Sequence, residues 1–323
     1  MEKTCFTTKN NIMKTRYIFR FTLFLMFILF LGCKAGPTST SPVKIAKPVP
    51  IRLGALETDL RHQAAFVAEK NGLFAKESLR AVIIDTYNTD QERIRALDHG
   101  DLDAAYIGQT AAMLAVANHE ADLVIGAAAT KEGWALVVRD LETKTPFDLA
   151  GKGIGVPGKG TIAAVLAQQY LEKHQMDGKV YLFEMPFAEM YDTLLTHTID
   201  GFFAIAPFVA KAVVHENTGV FVESDKIWPM HPDVSLVLSK KWATQHPSKA
   251  AALVRAHKAA TDQLAGTSKE NGGVTIRFAH ELLVQDAVIL ALFFNQNHMA
   301  KIDTVDEWVK NLTELPKAPQ PAV

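Results

Sequence analysis

Apolar and polar positions between residues 51 and 265 switch repeatedly between two periods, and the switching predicts the architecture. Ile51 to Leu56, Ala81 to Tyr87, Leu102 to Ile107, Leu123 to Ala129 and Ala135 to Arg139 are short apolar runs of strand length. Between them, 59 to 71, 90 to 98 and a stretch from Thr110 through Met113, Leu114 and Ala117 place apolar side chains at helical spacing, the first closing at Gly72. The theme then repeats. Gly153 to Val156, Lys179 to Phe183, Asp200 to Ile205, Val220 to Glu223 and Val234 to Ser239 read as strands, with helices starting at Thr161, Pro186 and Phe208. Strands alternating with helices need crossover connections, so an α/β protein with largely parallel sheets is expected. From Pro247 to Leu315 the pattern is helical nearly throughout, and 317–323 is a Pro-rich loose end.

One glycine-rich run needs separate treatment. Gly153 to Thr161 contains the spacing of a dinucleotide-binding turn and comes within one residue of a phosphate-binding loop. Gly160 stands where that loop needs a Ser or Thr hydroxyl for the metal, and Thr161 is one place late. Both motifs also require a strand ending at the first glycine, whereas Pro146, Asp148 and Gly151 mark a turn there. The reading adopted is that Gly153 to Val156 is itself the strand, Pro157 to Gly160 a tight loop and Thr161 a helix cap.

The 323 residues suffice for two domains, and 48% hydrophobic with 21% charged content is ordinary for a globular core. Lys plus Arg number 34 against 35 Asp plus Glu, so there is no basic excess for nucleic acid. Residues 1–32 read as a signal peptide: Lys14, Arg16 and Arg20 precede the apolar run Phe21 to Leu31, too short to span a bilayer, and Met13 is an alternative start. Phe30-Leu31-Gly32-Cys33 resembles a bacterial lipobox, which implies cleavage before Cys33 and a lipid anchor there. The alternative is an uncleaved anchor; either way the remaining chain is expected in the periplasm or at the cell surface. Cys5 is the second of two cysteines and lies in the segment removed, so no disulfide staples the fold. Residues 33–50 read as a flexible tether, in which Ser41-x-x-Lys44 cannot be held in reactive geometry.

Three segments in order carry a family resemblance. They are Phe66-Val67-Ala68-Glu69-Lys70-Asn71-Gly72-Leu73-Phe74, then Pro146 to Pro157 with Asp148-Leu149-Ala150-Gly151-Lys152, then Asp200-Gly201-Phe202-Phe203-Ala204-Ile205-Ala206-Pro207-Phe208. The chain resembles, over about 51 to 265, the substrate-binding proteins of nitrate, sulfonate, taurine and thiamine-pyrimidine-precursor ABC importers. The resemblance implies an α/β, two-lobed type II periplasmic-binding-protein fold, with a hinge between two mixed-sheet lobes. Lobe one is expected at 51–140 plus 234–316 and lobe two at 141–233, with crossings near 139–145 and 229–233. It further implies a small-molecule ligand, an ABC permease partner, no cofactor and a monomeric protein.

Ligands of open α/β sheets sit beyond the carboxyl ends of strands, where helix N-termini offer free N–H groups. The candidates are therefore Thr58 and Asp59, Gln109 and Thr110, Gly160 and Thr161, and Pro207 with Phe208, with Trp134 and Phe187 as apolar walls and Phe203 and Trp228 as further wall positions. The alternative is that Asp59, Thr110 and Thr161 only cap helices. If the site reading holds, Thr161→Val weakens ligand binding and Lys159→Ala, pointing to solvent, does not. Where the family carries an aromatic and a carboxylate before the Pro, this chain has Ile205 and Ala206. An acidic partner for a ligand amine is missing there unless Glu57 or Asp59 supplies it, so an uncharged or anionic, more apolar ligand is expected, and Ala206→Glu should improve amine binding.

Catalytic and metal readings find less support. There is no Gly-x-Ser-x-Gly elbow, and the closest two of the 11 histidines, His246 and His257, are eleven apart. His257 shares a face with Leu253 and Val254 and reads as a satisfied core histidine. A thiamine-pyrimidine-synthase-like enzyme would need a histidine in the cleft, for which His62 is the candidate. A ligand-sensing subunit for a membrane receptor is the other alternative, since it needs the same clamshell.

Overall fold

In a computed structural model, the structure describes residues 49 to 265 and 274 to 317. The expected signal segment, Cys33, the expected tether as far as residue 48 and the tail from 318 lie outside the described residues. In chain order the strands are β1 (Val49–Gly54), β2 (Leu79–Ile84), β3 (Ala104–Gly108), β4 (Leu123–Ala128), β5 (Thr130–Glu132), β6 (Trp134–Val138), β7 (Gly153–Val156), β8 (Tyr181–Glu184), β9 (Gly201–Ile205), β10 (Gly219–Glu223), β11 (Val234–Ser239) and β12 (Ile276–Phe278). The helices are α1 (Gln63–Lys70), α2 (Leu73–Lys76), α3 (Asp90–His99), α4 (Gln109–Ala117), α5 (Ile162–Lys173), α6 (Phe187–Leu195), α7 (Ala206–Val213), α8 (Lys240–Gln245), α9 (Pro247–Leu264), α10 (Val284–Gln296) and α11 (Val305–Thr313). No described helix is long and apolar enough to cross a membrane.

Two five-stranded sheets share one plan. The first runs β2-β1-β3-β11-β4 and the second β8-β7-β9-β6-β10. In each, three strands are mutually parallel and the fourth runs antiparallel to the third. That antiparallel strand is the one made just after the chain crosses from the other sheet, which is why the two crossings lie side by side. The central strands β3, β6, β7, β9 and β11 are buried almost throughout, which explains their near-continuous apolar sequence. One apolar cluster draws on both sheets, including Ile107 and Met113 from the first and Leu136, Ile154 and Phe203 from the second.

Local chemistry sets the ends of the elements. Thr89 and Glu92 form a reciprocal capping box at the start of α3, and Gly100, at φ 81°, ends it in the left-handed conformation that a side chain disfavours. The glycine-rich run resolves as β7, a turn and α5. Gly158 takes φ 152°, and Thr161 is the N-cap, its hydroxyl accepting from Ala164 N–H and donating to Gly158 O at 2.6 Å. Lys159 is exposed and pairs with Glu184, as its expected solvent orientation requires.

Three features depart from the sequence expectation. Trp134–Val138, placed above in the first lobe, is hydrogen-bonded to β9 and β10 of the second sheet. The change of sheet therefore falls at 129–133 and not at 139–145. Ile276–Phe278, in a stretch expected to be helical, pairs antiparallel with β5. Three-residue strands carry no readable period, and their partners lie more than a hundred residues away. β1 also starts at Val49, inside the span assigned to the tether.

Candidate functional site

The loops at the carboxyl ends of β1, β2, β3 and β4 meet the two crossings along one edge of the first sheet. After β1, Asp59 caps a short 3₁₀ turn at Leu60–His62. Its carboxylate takes Arg61 bidentately, Nε to Oδ1 at 2.9 Å and Nη2 to Oδ2 at 2.7 Å. The remaining edge of the guanidinium faces Asp233, Nη1 to Oδ1 at 3.5 Å. Asp233 also receives Trp134 Nε1–H at 3.0 Å and Thr130 Oγ1–H at 3.2 Å. After β2, Arg93 pairs with Asp90 at 2.7 Å.

Burial and charge decide how these groups ionise. Burial works to raise the Asp59 carboxyl, but the guanidinium and hydrogen bonds of Arg61 hold it well below the usual carboxylate range. Arg61 is pulled down by burial and pushed above its ordinary value by Asp59 and Asp233. Asp233 is raised, because its burial outweighs the attraction of Arg61 and the hydrogen bond from Trp134. His62 is lowered to about 4 by burial. Its Nδ1 accepts Leu56 N–H at 3.0 Å, so the ring is neutral and enclosed.

An aromatic ladder leads from this charge cluster into the second lobe. Arg61 lies over the Trp134 ring at 5.9 Å, Trp134 tilts against Phe187 at 5.7 Å, and Phe187 stacks on Phe208 at 4.9 Å with 12° between planes. Three of the five aromatics expected from sequence as walls, Trp134, Phe187 and Phe208, are thus brought together, on β6, α6 and α7. Phe203, by contrast, is a core residue at 1% exposure, and Trp228 is half-buried beside His231.

The other candidates divide. Gln109 and Thr110 open α4 and are buried; Gln109 Oε1 accepts from Ser235 Oγ at 2.9 Å, whereas Thr110 Oγ1 is buried with no hydrogen-bond partner. Of the expected set, that hydroxyl is the one buried side-chain atom without a hydrogen-bond partner. Gly160 lies against the first lobe: a Cβ there would meet Leu114 Cδ1 at 3.1 Å. Thr161 is engaged as a cap, and Thr58 and Pro207 are exposed. Asp59 is committed to Arg61, and Ala206 is 1% exposed, so neither offers a free carboxylate and Ala206→Glu would bury one.

Arg61, Asp233, Arg93 and the buried pair Lys131–Asp286 were not among the expected residues. Arg61 was discoverable, since a charged residue two places after a capping Asp can fold back on it in a turn, though not in a helix. Asp233 lies 172 residues from Arg61, and nothing local marks it.

The architecture defines a class, the two-lobed periplasmic-binding-protein fold. Within it the chain belongs to the NMT1-like family, whose model matches residues 45–278. Among curated proteins it is 27% identical over 210 residues to the bicarbonate transport ATP-binding protein CmpC of Synechocystis sp.; the match covers 59% of this chain and 31% of that protein, so the chain spans about a third of its relative's length. Among solved structures it is similar to the ligand-binding component of an ABC-type import system from Staphylococcus aureus, crystallised with zinc bound. That match has TM-score 0.66 and 17% identity, covering 83% of this chain and 97% of the other. It is also similar to the periplasmic nitrate-binding protein NrtA of Synechocystis PCC 6803, at TM-score 0.66 and 13% identity, covering 83% and 86%.

Proposed function

We propose that this protein is an extracytoplasmic solute-binding protein that captures a small ligand between its lobes and delivers it to an ABC importer permease. The observation that carries the reading is the convergence of both sheets' carboxyl edges on the two crossings, where the aromatic ladder Trp134–Phe187–Phe208 stands. A helix N-terminus supplies roughly 0.3 to 1 kcal/mol to a charged group, whereas micromolar affinity corresponds to about 8 kcal/mol. Apolar and aromatic contact must therefore supply most of the binding energy. Delivery from the periplasm or cell surface, anchored through a lipidated Cys33, fits the amino-terminal sequence. Membership in the NMT1-like family supports the transport role. The enzyme reading through His62 is disfavoured, because that ring is 1% exposed and its Nδ1 is taken by Leu56 N–H.

A thermal-shift screen against sulfonates, nitrate, organic acids, pyrimidines and apolar ligands tests the function. A ligand that binds only the folded form raises the midpoint, by about 2.7 kcal/mol of stability at a hundredfold excess over Kd. No shift with any class counts against solute binding. Co-purification with a membrane permease separates an importer subunit from a sensor.

A further inference from the structure

Three hydrogen-bond donors of the kinds that hold anions converge on one point of the cleft. Arg61 Nη1, Trp134 Nε1 and Thr130 Oγ1 come respectively from the loop after β1, from the first strand of the second lobe and from the first crossing. A guanidinium, an indole N–H and a hydroxyl aimed together make an oxyanion cradle, since charge-assisted bonds of this sort are the strong ones. The cradle is already filled. Its occupant is the carboxylate of Asp233, 2% exposed, which the second crossing carries into place.

The rest of the guanidinium is equally committed, because Asp59 takes Nε and Nη2. Two carboxylates therefore face one cation. Among the described residues, the other buried cations also have acidic partners: Arg93 has Asp90 at 2.7 Å, and Lys131 has Asp286 at 4.0 Å. A nitrate, bicarbonate or sulfonate entering here would meet no uncommitted buried cation and would have to displace a carboxylate that is held by three donors.

We propose that Asp233 is a specificity-determining residue, an internal carboxylate that prefills the anion cradle, so that the cleft selects a ligand uncharged or cationic where it meets Arg61 and Trp134. The statement about ligand class rests on the solute-binding reading; the prefilled cradle does not. The sequence alone left an anionic ligand open, and the arrangement around Asp233 closes it.

Chemical rescue tests the proposal. Asp233→Ala leaves a carboxylate-sized space beside the three donors, and formate, but not its uncharged isostere formamide, should raise the variant's thermal midpoint saturably at constant ionic strength. The native protein should show no such rise, and should bind neither methanesulfonate nor nitrate in titration calorimetry. Asp233→Ala should also bind methanesulfonate where the native protein does not, while Asp233→Asn, which keeps the shape and fills the cradle without the charge, should respond to formate at least about tenfold more weakly than Asp233→Ala. A folded Asp233→Ala that ignores formate overturns the proposal, as does saturable binding of methanesulfonate or nitrate by the native protein. If neither variant folds, the native titrations decide: anion binding refutes the prefilled cradle, and its absence supports it. A screen with no ligand of any class counts against the transport reading while leaving a positive formate result standing.

Discussion

Arg61→Met isolates the central charge of the cleft. Methionine approximates the length of the apolar stem and removes the guanidinium, together with its contact over the Trp134 ring, leaving the buried Asp233 and the largely enclosed Asp59 without their shared counter-ion. Breaking a buried pair by deleting one partner costs about 3 to 5 kcal/mol. A Coulomb estimate agrees, since unit charges about 4 Å apart at an effective dielectric of about 20 attract by about 4 kcal/mol. Against a domain stability of about 5 to 15 kcal/mol, this is a large fraction. The pH dependence has a definite sign. In the native protein the depressed Asp59 contributes stability that is present above the unfolded carboxyl pKa of about 3.9 and lost as pH falls through its lower folded value. In the variant, burial without a cation raises both carboxyls above the unfolded value, so the variant recovers stability as pH falls. The gap between native and variant is therefore widest near neutrality and narrows toward pH about 4. Urea unfolding followed by circular dichroism at several pH values measures it; His231 and His257 titrate in both proteins and cancel, whereas His62, 3.7 Å from Asp59, is freed of the Arg61 charge in the variant and takes up its proton more readily, which narrows the gap further as pH falls. A loss below about 1 kcal/mol at neutral pH, or a gap that does not narrow, refutes the assignment of Arg61 as the shared counter-ion.

Other outcomes follow from single contacts. Gly160→Leu drives a side chain into Leu114, whose Cδ1 lies 3.1 Å from the Cβ position. It should cost about 1 to 3 kcal/mol and enlarge the radius of gyration in solution scattering, with Leu114→Ala restoring both; an unchanged radius contradicts the interlobe contact. His62, His231 and His257 are each lowered by burial to about 4, so the unfolded chain takes up protons first and native stability falls as pH drops from about 6.5 toward 4. His257→Gln should remove up to about 3 kcal/mol of that pH-dependent loss, and an undiminished slope would show that burial does not hold His257 neutral. Thr161→Val should lower stability by about 1 kcal/mol through the lost cap, while Lys159→Ala, a surface pair, changes it by less than that in thermal melts; equal effects would contradict the capping role.

Much of the fold is legible along the chain because strands and helices bury one face or two, and burial imposes a period. β7, the Thr161 cap and α5 follow from residues 153 to 173 alone, and a nucleotide loop fails there for local reasons. Trp134, Phe187 and Phe208 could be singled out because each stands at a strand end or near a helix start, and the fold does bring their rings into contact. His257 could be read as a satisfied core histidine from its apolar neighbours, and Tyr106 and Ala128 do satisfy it.

Other features have no local trace. Trp134–Val138 reads as a strand whichever sheet it joins, and only its pairing with β9, some sixty residues onward, assigns it to the second sheet. β5 and β12 are too short to carry a period and exist because each is the other's partner. The cradle around Asp233 draws on residues near 61, 130, 134 and 233, so no window of sequence contains it. Periodicity records what each segment buries, so the sequence by itself determined the longer strands and helices and the start of α5 at Thr161. Which charge meets which depends on where two chain crossings bring distant loops together, and the tertiary structure alone decided that Arg61 and Trp134 meet Asp233.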